Sequence, residues 1–394
     1  MIDKCCICGK SVKTRFTLGF EDLIGADGKL YSQHVALCEN CGYIFTQNPF
    51  TPEQLENRYK NLSKFEYDSK DYVLDNSFKA QSVRQKHFIE ENADLSEIKS
   101  MVEVGAASGY NLSIYKGQID RVYGIEPSEI NCTLSKENYG VDMFNGMFDE
   151  YITSGNAEKF DLVFLSMVLE HIVNPSDFIR KIKGISNNYI FIEVPVLDMR
   201  HREEPMGIFC EEHVSIFTAD SLNELMNKEG FELVNAEIVF GLGKYLPAGY
   251  PSIMSLWKKG EAQKNTFKIN MTSAESLLDG YINDSLSGLK RIKEKIDAIP
   301  DGMRLAVWGI GHHSAMLLAN TSLKNKNIVR VYDADKRKHT YTFNGVKIES
   351  FNMKDIESGE VEGILLTTYT AQKAIMRFIE KQNPDCKIYT LYDI

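Results

Sequence analysis

The feature that most restricts the fold of this chain is a repeated order: a short apolar run, a turn, then a helical pattern. Four such runs, SMVEVG, RVYGIE, FDLVFLSM and NYIFIEVPV, fall between about residues 66 and 260, and FELVNAEIVFG follows as a later edge strand. Strands that are almost wholly apolar and alternate with helices are covered on both faces, so the order predicts an α/β domain on a parallel sheet. After the second strand, Ser128 is placed to cap the helix EINCTLSKENY, and Gly140 to end it in a left-handed conformation.

A length of 394 residues exceeds what one core serves, and the remainder divides on either side of this sheet. Residues 1–65 carry paired cysteines, few long apolar runs and the turn-rich stretch IGADGKLYS, too little for a core of their own. Residues 66–260 hold the sheet, and the polar stretch WKKGEAQKNTFKIN reads as a linker. Residues 261–394 open with a helix, for which Thr272 and Glu275 form a candidate capping box and Leu277, Leu278, Tyr281, Ile282, Leu289, Ile292, Ile296 and Ile299 recur at helical spacing. Strands RLAVWGIG, IVRVYDAD, VEGILLTTY and CKIYTLYDI follow, which predicts a second, smaller parallel sheet.

Cys5 and Cys8, and Cys38 and Cys41, each have the two-residue gap that lets both thiolates of a knuckle reach one tetrahedral ion. Gly9 and Gly42 follow each pair, where backbone freedom helps N–H groups turn toward sulfur. The 29 residues between the knuckles exceed the usual spacing of about 15–20, and Cys6 is a further ligand candidate with a one-residue gap. Zinc is the expected ion, and four thiolates leave it no open position, so its role is structural. A reduced set that is metal-free or redox-active is the alternative. Eight cysteines in so long a chain do not read as a disulfide framework, which points to a reducing compartment. The start MIDKCCICGK has no apolar leader core and no run approaches the roughly 20 apolar residues of a membrane span, so the cytoplasm is expected. A formal charge of -10 argues against broad binding to nucleic acid.

The turn after the first strand, VEVGAASG, supplies Glu103, Gly105, Ala107 and Gly109. Its spacing departs from the GxGxxG of a dinucleotide fold. Glu126 ends the next strand about 20 residues later, where a carboxylate accepts hydrogen bonds from ribose hydroxyls. Turn, acid, NGMFDEY and LEHIVNP come in an order that resembles the class I S-adenosylmethionine methyltransferases, with Ala107 in the place of the middle glycine. The resemblance implies a Rossmann-like α/β fold and S-adenosylmethionine as cofactor. It places Gly146, Met147 and Phe148 near the adenine, and Ser166, Met167, Glu170 and His171 beside the cofactor.

Beyond FIEVPV, His213 follows Glu211 and Glu212 and precedes a helix that Thr218 caps. An imidazole is suited to removing a proton near neutral pH. With cysteine knuckles before the methyltransferase core and a small sheet domain after it, the chain looks like the three-domain C-methyltransferases of nucleotide-linked keto-deoxysugars. That resemblance implies a nucleotide-sugar acceptor held with help from the C-terminal Rossmann-like domain. It makes His213 the base of an H-E-H-x-S-like segment, with Glu212 orienting the acceptor. Glu211 stands where the first histidine is expected, Phe209 or Cys210 where a tyrosine is expected, and Tyr67 and Tyr72 are the nearest upstream tyrosines. Methyl transfer to oxygen or nitrogen, and a cofactor-binding protein without turnover, are the alternatives. A structural role for His213, bracing its loop, also stays open.

The turn VWGIGHHS carries Gly309 and Gly311, and Asp333 follows 22 residues after the second. Without a third glycine it makes a poor dinucleotide cradle. His312 and His313 are either phosphate or sugar contacts at a helix start, or surface residues.

Overall fold

The computed structural model describes residues 1–21, 30–51, 54, 76–155, 157–199, 204–210, 212–240, 251–260, 272–382 and 385–393. The N-terminal strands are β1 (Lys13–Glu21), β2 (Leu30–Leu37) and β3 (Ile44–Thr46). Helix α1 (Asn76–Asn92) leads into β4 (Ser100–Val104), α2 (Tyr110–Ser113), β5 (Arg121–Glu126), α3 (Glu129–Tyr139), β6 (Asp142–Asn145), α4 (Phe148–Thr153) and β7 (Phe160–Ser166). Then come α5 (Pro175–Ile185), β8 (Ser186–Pro195), β9 (Ser215–Ile216), α6 (Ala219–Lys228), β10 (Phe231–Phe240) and β11 (Pro251–Lys259).

The central sheet has seven strands in the order β10-β11-β8-β7-β4-β5-β6. Strands β4 to β8 within it pair parallel, and β11 runs antiparallel to both β8 and β10. Strand order reverses between β4 and β7, and ligands of open α/β sheets bind outside the carboxyl ends at such a switch point. Ser128 and Gly140 cap α3 as expected, with Asn131 N–H donating to Ser128 Oγ and Gly140 at φ +60°. Strand β11 corrects the expected linker, because Trp257, Lys258 and Lys259 belong to it. Its residues Pro251 to Trp257 are buried without interruption, and a strand covered on both faces shows no alternation to announce it. The rest of that expected linker lies outside the described residues.

The third sheet uses α7 (Ala274–Asp297), β12 (Leu305–Trp308), α8 (His312–Asn320), β13 (Ile328–Tyr332), β14 (Thr342–Phe343), β15 (Val346–Glu349), α9 (Lys354–Glu357), β16 (Gly363–Leu366), α10 (Gln372–Gln382) and β17 (Lys387–Thr390). Its order is β14-β15-β13-β12-β16-β17, parallel except for the β14–β15 hairpin. Asn344 and Gly345, both at positive φ, make that hairpin's turn. Helix α7 is capped by Ser273, whose side chain accepts from Ser276 N–H, so the expected cap at Thr272 moves by one residue. Ile299 lies past the end of α7 and is buried beside it.

The N-terminal strands form a four-stranded sheet, β1-β2-β3-β9, closed by a strand from the chain between β8 and β10 of the central sheet. Because side chains alternate along a strand, this small sheet faces two ways. Ala36, Cys38 and Phe45 join the core of the central sheet, together with Cys5, Ile7 and Tyr43. Val35, Leu37 and Ile44, with Leu18 and Phe20, join a second core shared with Leu278, Ile282 and Ile296 of α7 and with Leu305 and Val307 of β12. Asn320 Nδ2 donates to Gly19 O at 2.8 Å, which ties α8 to β1. A module without a core of its own is thus packed between two sheets.

Candidate active site

At the switch point, the turn after β4 holds Gly105, Ala107 and Gly109 at φ +72°, +45° and +76°. A side chain on Gly109 would strike Ser135 and Met143, and one on Gly105 would come within 2.9 Å of Val168 Cγ2. The turn therefore lies tight against α3 on one side and the segment after β7 on the other. Glu126, buried at the end of β5, accepts Ala107 N–H at 2.9 Å and Ser128 N–H at 3.0 Å, so acid and turn are held together. These features suit a ribose-bearing ligand: glycines where a Cβ would collide, and a carboxylate at the neighbouring strand end.

Glu103, one residue before the strand's end, is 3% exposed, and its Oε1 accepts Asn111 Nδ2 at 3.0 Å. Burial pushes its carboxyl up to about 8, the Asn111 bond opposing and the charge of Glu126 adding. Asn111 also donates to Gln85 Oε1 at 3.2 Å, and Gln85 Nε2 donates to Ser166 Oγ at 2.8 Å and to Glu193 Oε2 at 2.5 Å. Glu193, fully buried on β8, is further held by Arg84 Nη2 at 2.9 Å and Ser252 Oγ at 2.7 Å. This network was not foreseen. Its signal was the polar pair Gln81 and Gln85 four residues apart beside Phe88 and Ile89, which puts amides on the buried stripe of α1.

The segment after β7 places Ser166 on that network and Met167 at φ +55°, its N–H donating to Glu193 O at 2.9 Å. Met147, 43% exposed, caps α4, with its N–H donating to Glu150 Oε2 at 2.6 Å. Phe148 points into the core, its ring edge-on to Phe178 with centroids 5.0 Å apart.

Past Val168, a single helical turn at Leu169–His171 presents buried Glu170 and half-buried His171. His171 Nδ1–H donates to Glu212 O at 3.0 Å, and the ring of His213 stands edge-on to His171 with centroids 5.1 Å apart. One donor atom each of Glu170, His171 and His213 lie within 4.8 Å of one another. Ser215 Oγ donates to Ile172 O at 2.6 Å and pairs with Tyr43 OH at 2.5 Å, which pins the loop of His213 to this turn. Glu212 enters the cluster through its carbonyl; Glu211, Tyr67 and Tyr72 lie outside the described residues.

The four thiols Cys5, Cys8, Cys38 and Cys41 converge, with Sγ atoms of Cys5 and Cys41 3.5 Å apart and of Cys8 and Cys38 3.4 Å apart. An ion about 2.3 Å from each of four sulfurs needs them about 3.8 Å apart, so the set fits a tetrahedral metal. Gly9 and Gly42, at φ +73° and +72°, close the two knuckles by donating to Cys5 O and Cys38 O, both at 2.8 Å. Hydrogen bonding with Cys41 pulls the Cys5 thiol down to about 5 and pushes that of Cys41 up.

The second glycine turn is closed by its own chain. Asp333 Oδ2 accepts Ile310 N–H at 2.8 Å and Lys338 Nζ at 3.1 Å, and Lys338 also reaches Ile310 O at 2.5 Å. His312 Nε2 contacts Phe209 O at 2.8 Å with its ring against Phe20. His313 pairs with Tyr392 OH and lies 3.6 Å from Glu204 Oε1. Both histidines, half-buried, therefore contact residues of the preceding part of the chain, Phe209 and Glu204.

Residues 78–236 match a family model described as Methyltransferase domain, and residues 302–388 match one described as C2185-like, N-terminal. No curated protein matches the chain. Among solved structures, the [4+2]-cyclase SpnF is 13% identical with a TM-score of 0.41, over 54% of this chain and 97% of that one. Magnesium protoporphyrin IX methyltransferase from Synechocystis PCC 6803 with bound S-adenosylmethionine is 10% identical with a TM-score of 0.38, over 54% of this chain and 98% of that one. 1,6-Didemethyltoxoflavin-N1-methyltransferase from Burkholderia thailandensis is 14% identical with a TM-score of 0.41, over 56% of this chain and 96% of that one. With all three scores below 0.5, the assignment rests on the family model, the strand order and the turn. Residues 78–236 are a class I S-adenosylmethionine-dependent methyltransferase domain, and that domain makes the chain a methyltransferase that uses S-adenosylmethionine.

Proposed function

We propose that this methyltransferase acts on the sugar of a nucleotide-linked keto-deoxysugar, at carbon, with His213 as base, in the cytoplasm. The observation that carries this reading is the convergence of Glu170, His171 and His213 just beyond Val168, whose side chain abuts Gly105 of the cofactor turn. An imidazole at that place can take a proton from an acceptor lying next to the methyl donor. S-adenosylmethionine, when bound, supplies the methyl group from its sulfonium. Glu126 would hold the ribose hydroxyls and Glu103, Gly105, Ala107 and Gly109 would shape the cradle, with Ser166, Met167 and Met147 around it and Phe148 packed behind it in the core. His213 would take the proton from the acceptor carbon, whose freed electron pair would bond the methyl group as the sulfonium–methyl bond breaks to a neutral thioether, and Glu212 would orient the acceptor. Zinc in the Cys5, Cys8, Cys38 and Cys41 set stays outside the chemistry and steadies the loop of His213 through Tyr43 and Ser215.

Mass spectrometry of nucleotide-sugar panels incubated with enzyme and methyl donor tests the reading, with a His213→Ala variant beside wild type. A methyl gain on a keto-sugar that the variant loses is expected. If no panel member gains a methyl group the sugar reading fails, and if the variant matches wild type the base assignment fails.

A further inference from the structure

The set Glu170, His171 and His213 has a property that a lone general base does not require. Two imidazoles and one carboxylate offer three donor atoms within 4.8 Å of one another, and the carboxylate is 2% exposed. Two nitrogens and an oxygen with further positions open is a donor set for a first-row divalent ion such as zinc, cobalt or iron. The tautomer is also set for it. His171 Nδ1–H donates to Glu212 O at 3.0 Å, which leaves the Nε2 lone pair toward Glu170, 3.9 Å from its Oε1. A ligating histidine commonly has its other nitrogen held by a backbone carbonyl in this way. The scaffold is fixed too, because Ser215 joins the His213 loop to the Leu169–His171 turn at Ile172 O.

We infer that Glu170, His171 and His213 form a second metal site, one that takes an exchangeable divalent transition ion and is distinct from the four-cysteine set. Donor atoms of such a site sit about 2.0–2.2 Å from the ion, so rotamer shifts of the three side chains bring them into range. Unlike the thiolate set, the site leaves coordination positions open to solvent or to an oxygen of the acceptor. An ion here takes a lone pair of His213, so metal occupancy and proton removal by that imidazole exclude each other. The site itself does not depend on His213 being the base.

Cobalt titration of protein already loaded with one zinc per chain tests the site. One further cobalt ion should bind per chain, with visible bands of a nitrogen and oxygen environment and without the thiolate charge-transfer band that replacement at the cysteines would give. His171→Ala, and the nearly isosteric Glu170→Gln, should weaken cobalt binding by at least the roughly 10–100-fold that losing a supporting partner costs. No second ion, or equal uptake by wild type and both variants, overturns the site. Activity distinguishes the readings: cobalt that binds here without slowing methyl transfer leaves the site standing and removes the base role of His213.

Discussion

Glu103 shows how burial decides chemistry at a single residue. Its carboxyl, raised from 4.5 to about 8, keeps a proton in the folded chain that the unfolded chain has already shed across that window. Its stabilising contribution is therefore complete below about pH 4.5 and is lost as the pH rises through about 8. In cofactor-free protein, Glu103→Gln should gain melting temperature relative to wild type steadily over that range. Parallel melting curves at every pH would contradict the buried, protonated state. For His213, replacement by alanine should cost transfer about 10²–10⁴-fold while methyl-donor binding stays unchanged, read by steady-state kinetics beside calorimetry.

Among the elements, the turn after β4 is the most constrained. Gly109→Ala meets both a φ of +76° and the side chains of Ser135 and Met143, and should lower stability by about 1–3 kcal/mol. Gly117→Ala, at φ +86° with nothing within 4 Å, carries the backbone cost alone and should lose less; urea unfolding of the two variants checks the order. The turn, its acid, the caps of α3 and the strands β4, β5, β7, β8, β10, β12, β13, β16 and β17 were legible, because each rests on local spacing, whereas the short, half-exposed β6 was not named. Strand β11 was not, since its start is buried on both faces and its polar end resembles a linker. The hairpin β14–β15 was missed although Asn344-Gly345 announces it. Of the site, His213 stood out through its neighbours in sequence. Its pairing with His171, 42 positions earlier, arises only when β7 and the loop before β9 meet.

At the scale of the whole molecule, the cysteine module contributes side chains to two cores. One face of its sheet packs on the methyltransferase domain and the other on α7 and β12. Removing the proposed metal should therefore destabilise more than the first 50 residues. Chelation is expected to lower the melting temperature of the entire chain and to expose the C-terminal domain to protease, since structural zinc supplies about 10–16 kcal/mol in small peptides. A protease pattern unchanged by chelator would show that the two domains hold each other without the module.

Two glycine turns, each followed by an acid at the next strand end, compete for the methyl donor, and they differ in what already fills them. Lys338 Nζ bonds both Asp333 and Ile310 O across the second turn, while at the first turn Glu126 accepts the backbone N–H groups of Ala107 and Ser128. Calorimetric binding of S-adenosylmethionine to wild type, Glu126→Ala and Asp333→Asn separates them directly. One donor molecule per chain is expected, weakened about 10–100-fold by Glu126→Ala, the scale of charge-assisted hydrogen bonds worth about 1.5–3 kcal/mol, and unchanged by Asp333→Asn. Loss of binding in Asp333→Asn with full binding in Glu126→Ala would contradict the placement of the methyl donor at the first turn.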